Sequence, residues 1–163
     1  MSGNPVRLLV LFLCIAAFPA VSAPAGESPS KEAEGLIFVK SGQGMEETLA
    51  DLREAIAQLG LTYFATFDHA ENARTNALAL FPTSVVVFGN PLLGTPMMQA
   101  QRTLAIDLPQ KMLVWEDTDE QVWIAYNDPQ YLARRHSLAD QEKILGRVGM
   151  ALAQLARRAA GGD

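Results

Sequence analysis

The stretch Lys111–Asn127, KMLVWEDTDEQVWIAYN, decides the fold. Two runs with period-two alternation, KMLVWED and QVWIAYN, flank Thr118, Asp119 and Glu120. That is the pattern of a β-hairpin. In the first strand Lys111, Leu113, Trp115 and Asp117 face one side, and Met112, Val114 and Glu116 the other. In the second strand Trp123 and Tyr126 lie on opposite faces. Trp115 can meet Trp123 across the hairpin, and both tryptophans are expected in the core.

The flanking sequence alternates strands with helices. GLIFVK reads as a first strand that ends at the Ser41–Gly44 turn. Met45, Leu49, Leu52, Ile56 and Leu59 follow at helical spacing, with Gly60 just past the end. LTYFATF, from Leu61 to Phe67, reads as a second strand. Asp68 and Glu71 have capping-box spacing for a helix through HAENARTNALAL. Pro82 then opens the strand TSVVVF. Thr95 suits an N-cap and Pro96 the first turn of a helix to Ala105. Asp128 and Pro129 open a short helix ending near His136. Ser137, with Asp140 three residues on, starts a terminal helix whose apolar face holds Leu145, Val148, Leu152 and Leu155. About five strands, four or five helices and a central hairpin predict one two-layer α+β domain rather than a doubly wound parallel sheet.

The N-terminus predicts export. Arg7 precedes the apolar run Leu8–Phe18 and then small residues, the layout of a secretory signal peptide. Cleavage after Ala25 fits better than after Ala23, where Pro24 would follow the cut. The run is too short to span a bilayer, which takes about 20 apolar residues; an uncleaved anchor is the alternative. Residues 26–34, rich in Pro, Ser and Glu, read as a disordered leader. The domain is placed at 35–136, with 137–163 packing on it as a C-terminal helix. The sole cysteine, Cys14, falls inside the apolar run, so the mature chain has no disulfide and no cysteine nucleophile. With Arg7 removed, the mature net charge is about −6. That balance, without a basic face, disfavours nucleic acid. A soluble periplasmic or secreted protein is expected, with no stable membrane span.

Three segments could carry chemistry. Gly89-x-x-x-x-Gly94-Thr95 has a P-loop frame without its lysine, and Pro91 and Pro96 remove amide donors. It is read as a turn with Thr95 as a cap, and as an anion-friendly helix start involving Thr95 and the amides near Met97. His69, Asn72 and Asn76 form a polar helical stripe suited to a small polar ligand or to acid–base work, or simply a solvated helix face. His136 ends a helix, and Asp107, Lys111, Glu116 and Asp117 lie around the hairpin. As an enzyme, the protein would use His69 or His136 as general acid/base, with Asp68, Asp107 or Asp128 orienting it. No metal or cofactor is predicted, although His69, His136, Met97 and Met98 could together hold copper or haem. No hydrolase elbow and no His-Glu-x-x-His occur.

FDHAENA, FPTSVVVFGNPLLGTPMM, AIDLPQKMLVWED and VWIAYNDPQYLARRH, in this order, resemble the bacterial and archaeal domain-of-unknown-function family numbered 302. The resemblance spans about Gly35 to His136. It implies a small α+β domain, a possible homodimer and no established activity. The motif positions carried over are Asp68, His69, Asn72, Pro82, Thr83, Gly89, Asn90, Pro91, Gly94, Thr95, Asp107, Lys111, Trp115, Tyr126, Asn127, Asp128 and His136. Ala79 and Phe81 depart from the pattern, which has glycine and arginine there. The expected pocket for a small polar or anionic ligand draws on His69, Asn72, Asn90, Thr95, Tyr126 and Asn127.

Overall fold

The computed structural model describes residues 33–162; the expected signal peptide and most of the leader lie outside them. Five strands form one sheet: β1 (Leu36–Lys40), β2 (Thr62–Asp68), β3 (Thr83–Gly89), β4 (Gln110–Glu116) and β5 (Val122–Asn127). Their order is β1-β5-β4-β3-β2, and every pairing is antiparallel. The helices are α1 (Met45–Gln58), α2 (His69–Thr75), α3 (Pro91–Ala100), α4 (Pro129–Arg135) and α5 (Glu142–Ala159). Short 3-10 helices cover Arg102–Ile106 and Ala139–Gln141. The chain is thus the expected single α+β domain.

The sheet is covered on one face. One row of register partners, Thr66, Val86, Met112, Tyr126 and Ile37, runs across all five strands beneath the helices. Leu52 and Ile56 of α1 and Leu152 and Leu155 of α5 pack on this face in one core cluster. Each such side chain contributes about 1.5–3 kcal/mol through its burial. The neighbouring row, Phe67, Val85, Leu113, Ala125 and Phe38, faces the other way. Trp115 and Trp123 belong to that second face. They are register partners with stacked rings 6.5 Å apart, and Phe38 meets Trp115 edge-on at 6.0 Å. They are half-buried and lie outside the helix-covered core, because odd and even strand positions must part to opposite faces.

Helix ends explain the other departures from the sequence expectations. Asn90, not Thr95, caps α3: its Oδ1 accepts from Leu92 N at 2.9 Å, and Pro91 takes the first turn. Asn-Pro carries the same start signal as Thr-Pro and comes first along the chain, which leaves Pro96 inside the helix. The helix through Leu80 stops at Thr75, since Ala77 turns left-handed (φ 55°) and Leu78 N donates back to Ala73 O at 2.9 Å. Asp68 does cap α2 through Glu71 N, but the Glu71 carboxylate pairs with Arg74. Ser137 starts nothing. It takes the left-handed position (φ 54°) that closes α4, with Leu138 N bonded to Ala133 O at 2.8 Å. The terminal helix begins at Glu142 instead.

Asp117 fastens the hairpin. Its buried carboxylate accepts from Asp119 N and Gln121 N, both at 3.0 Å, and from Trp123 Nε1 at 2.8 Å. Hydrogen bonds to a buried charged group are strong, and their loss strands the donors. Asp117→Ala is therefore expected to destabilise the protein by about 2–4 kcal/mol, measured by urea unfolding. A change below half a kcal/mol would contradict this role.

Candidate functional site

β3 and β5 end, and β4 begins, at one end of the sheet. Here α3 leaves β3 and lines one pocket together with residues of α5. Only part of α3 reaches the core: Met97 is buried and Leu93 and Met98 partly so, while Leu92 is exposed. Between α3, α5, the end of β3 and the segment Ala105–Gln110 lies a cavity of about 360 Å³. A size of roughly 300–1,000 Å³ is usual for small-molecule sites. Its walls are apolar: Phe64, Phe88, Leu93, Leu108, Val148 and Leu152 are representative. Two glycines adjoin these walls, and a side-chain methyl at either would make ordinary contact. A Cβ on Gly89 would stand 3.4 Å from the Phe64 ring, and one on Gly94 would stand 3.5 Å from Leu108 Cδ1. Among the described residues Asn90, Thr95 and Gln110 are the lining residues with hydrogen-bonding side chains, and none of the lining residues is ionisable.

Beside the cavity the 3-10 helix Arg102–Ile106 is tied to the end of α4. His136 is buried. Its Nε2 lies 2.6 Å from Asp107 Oδ2, and its Nδ1 lies 3.0 Å from Thr103 Oγ1. An ionised carboxylate can only accept, so Nε2 carries the ring proton. In the neutral imidazole Nδ1 then accepts from the Thr103 hydroxyl. Arg135 reaches the other Asp107 oxygen at 3.2 Å. Lys111 Nζ donates to the carbonyls of Asp107 at 3.0 Å and Pro109 at 2.8 Å. Burial pulls the Lys111 ammonium below the usual lysine range, and the nearby Asp107 charge opposes this. Burial also raises the Tyr126 phenol.

The sequence-expected site residues do not converge. Asp68, which precedes His69, pairs with Ser84 at the far end of β3. That is roughly 17 Å along the strand from Gly89 at about 3.4 Å per residue. His69 and Asn72 are exposed on α2, and the Asn72 carbonyl accepts from Thr75 and Asn76 side chains. His69 and His136 stand at opposite ends of the sheet, so the two histidines with Met97 and Met98 do not form one copper or haem site. Among the described residues no three His, Cys, Asp or Glu side chains are placed to hold a metal. Tyr126 lies under the helices in the core row, Asn127 pairs with Leu36, and Asp128 caps α4 through Gln130 N at 2.9 Å. Asn90 and Thr95 line the cavity, and Asp107 meets His136. The sequence reasoning missed Thr103, Phe64, Leu108, Val148 and Ala151. The α5 residues were legible only as an apolar helix face, and nothing in the local pattern of Thr103 points to His136.

The amides proposed to attract an anion are also committed. Pro91 has none, Leu92 N donates to the Asn90 side chain, and Leu93 N and Gly94 N donate to Asn90 O. Because α3 starts early, Met97 sits in mid-helix, where the ladder uses its N–H.

An antiparallel sheet with helices on one face and an apolar cavity at its end defines a small two-layer α+β domain. The family model "Domain of unknown function DUF302" matches residues 37–157, and the chain belongs to this family. Its match runs on into α5. The crystal structure of an uncharacterized conserved DUF302 protein from Bacillus stearothermophilus superposes with a TM-score of 0.71 at 21% identity, covering 78% of this chain and 99% of that one. It supports the fold. Fluoride-specific ion channel FluC 1 of Brucella suis biovar 1 and FluC 1 of Brucella abortus biovar 1 are each 41% identical over 104 residues, or 64% of this chain. The match covers 41% and 38% of those proteins, so the chain spans about two-fifths of the curated relatives it matches. No helix among the described residues is long and apolar enough to cross a membrane.

Proposed function

We propose that this protein binds a small apolar molecule in the cavity between α3, α5 and the end of β3. The observation that carries this reading is an apolar cavity of about 360 Å³ lined by core residues such as Phe88, Met97, Leu152 and Leu155. Apolar pockets with a few hydrogen-bonding groups at fixed places are what small-molecule sites look like. The names of the Brucella relatives offer fluoride as a ligand. The cavity does not suit it, because a small, strongly hydrated anion would exchange water for carbon at high cost. The apolar run Leu8–Phe18 supports export of the binding domain.

The test is uptake of a dye that brightens in apolar surroundings, such as N-phenylnaphthylamine. The protein should bind it saturably. Ala151→Phe, which places a ring into the α5 wall, should weaken uptake at least about ten-fold while the circular dichroism spectrum is retained. Unchanged uptake in that variant would remove the cavity as the site.

A second reading is favoured by the Thr103–His136–Asp107 chain of hydrogen bonds. Such a relay is the arrangement by which a hydroxyl is activated for acyl transfer, with His136 as base and Asp107 orienting it. The same bonds also tie the 3-10 helix to α4. Short-chain aryl esters would separate the two roles. Hydrolysis that Thr103→Val abolishes at unchanged melting temperature belongs to a nucleophile. A lower melting temperature with no hydrolysis in either protein belongs to a tie.

The homodimer implied by the family resemblance is also kept as a proposal. Phe67, Val85, Leu113 and Phe38, with Trp115 and Trp123 beside them, form an apolar, exposed to half-buried surface on the second face of the sheet, suited to a second copy. Light scattering should give twice the chain mass, and Trp115→Glu should return the monomer. A wild-type protein that is monomeric at high concentration would refute this.

A further inference from the structure

We infer that the molecule held in the cavity is uncharged, for instance an alcohol, amide, ester or aromatic body, and not a carboxylate, phosphate or amine salt. This rests on the binding reading above and narrows it. Among the described residues the wall contains no Asp, Glu, Lys, Arg or His. The pocket is open on one side, and a charge moved from water past its mouth onto these apolar walls without a partner meets a penalty. Two nearby sources that could have supplied a partner are already engaged. The start of α3 adjoins the cavity, yet its first donors are engaged by Asn90: Leu92 N by the side chain, Leu93 N and Gly94 N by the carbonyl. Lys111 stands next to Gln110, yet its ammonium is turned onto the carbonyls of Asp107 and Pro109.

What remains for a ligand is neutral. The Asn90 carbonyl-side oxygen is held by its cap bond, which leaves its amide N–H groups, the Thr95 hydroxyl and the Gln110 carboxamide. These suit one hydroxyl or carbonyl group at the end of an apolar body. On α5, Arg147 lies one turn before the wall residue Ala151, is exposed and is not part of the lining. Its recruitment by a ligand headgroup is what the experiment must separate.

Three probes of equal length decide the matter: decan-1-ol, decanoate and decylammonium, each competing with N-phenylnaphthylamine at neutral pH on the full chain. The alcohol should displace the dye at a concentration at least about ten-fold lower than either ion. Ala151→Phe, which should itself weaken dye uptake, shows that the displaced dye reports on this cavity. Decanoate as good as the alcohol would overturn the inference, and loss of that decanoate binding in Arg147→Ala would locate the anion's partner. If the dye binds and none of the three displaces it, an uncharged chain ligand is refuted. If neither dye nor probes bind, the cavity reading itself falls.

Discussion

The buried carboxylate of Asp117 sets the register on which the rest of the sheet depends. By accepting from two backbone amides of the turn and from the Trp123 indole, it fixes which residues of β4 and β5 stand opposite one another. A slip of one residue would turn every side chain of a strand to the other face. With the register held, Met112, Val114 and Ile124 go under the helices with no exposed surface, and Leu113 and Trp115 go to the open face. β1 and β3 then pair with the outer sides of this hairpin, and their alternation is set in turn.

One-sided covering has a consequence at the sheet end. Two long helices, α1 and α5, pack on the sheet together with Leu132 and Ala133 of α4, and α3 follows where β3 runs out. Asn90 starts it immediately after the strand, so its ten residues cross the sheet end with only part of one face inward. The glycines at 89 and 94 put no side chain into the gap. Together these features leave the apolar cavity. The tie between Asp107, His136 and Thr103 holds the neighbouring wall, because Ala105 and Leu108 belong to the segment it anchors.

Of the fold, the local patterns showed a great deal. The hairpin around Thr118–Glu120 was legible because alternation and a polar turn together admit few other conformations. So were α1, with Gly60 closing it, and the apolar face of α5. Helix boundaries were less legible where one start signal follows another, as Asn-Pro and Thr-Pro do between Asn90 and Pro96. They were also less legible where Ala77 and Ser137 take the left-handed position usually given to glycine, since neither residue advertises it. Of the site, Asn90 and Thr95, polar residues at a strand-to-helix turn, line the cavity. His69 and Asn72 were grouped with them because they share polar character, and they fold to the other end of the sheet.

The sequence by itself determined the two-layer α+β class, the central hairpin, the faces of the main helices and the family, because these depend on periods of two and 3.6 residues and on ordered motifs. Only the tertiary structure decided which ends of the strands meet, that His136 finds Asp107 and Thr103 rather than His69, and that the space beside Gly89 is apolar. Those facts depend on strand order and on where a helix crosses a sheet. Both are settled by burying one face of the sheet, a balance over the whole chain that no short stretch contains.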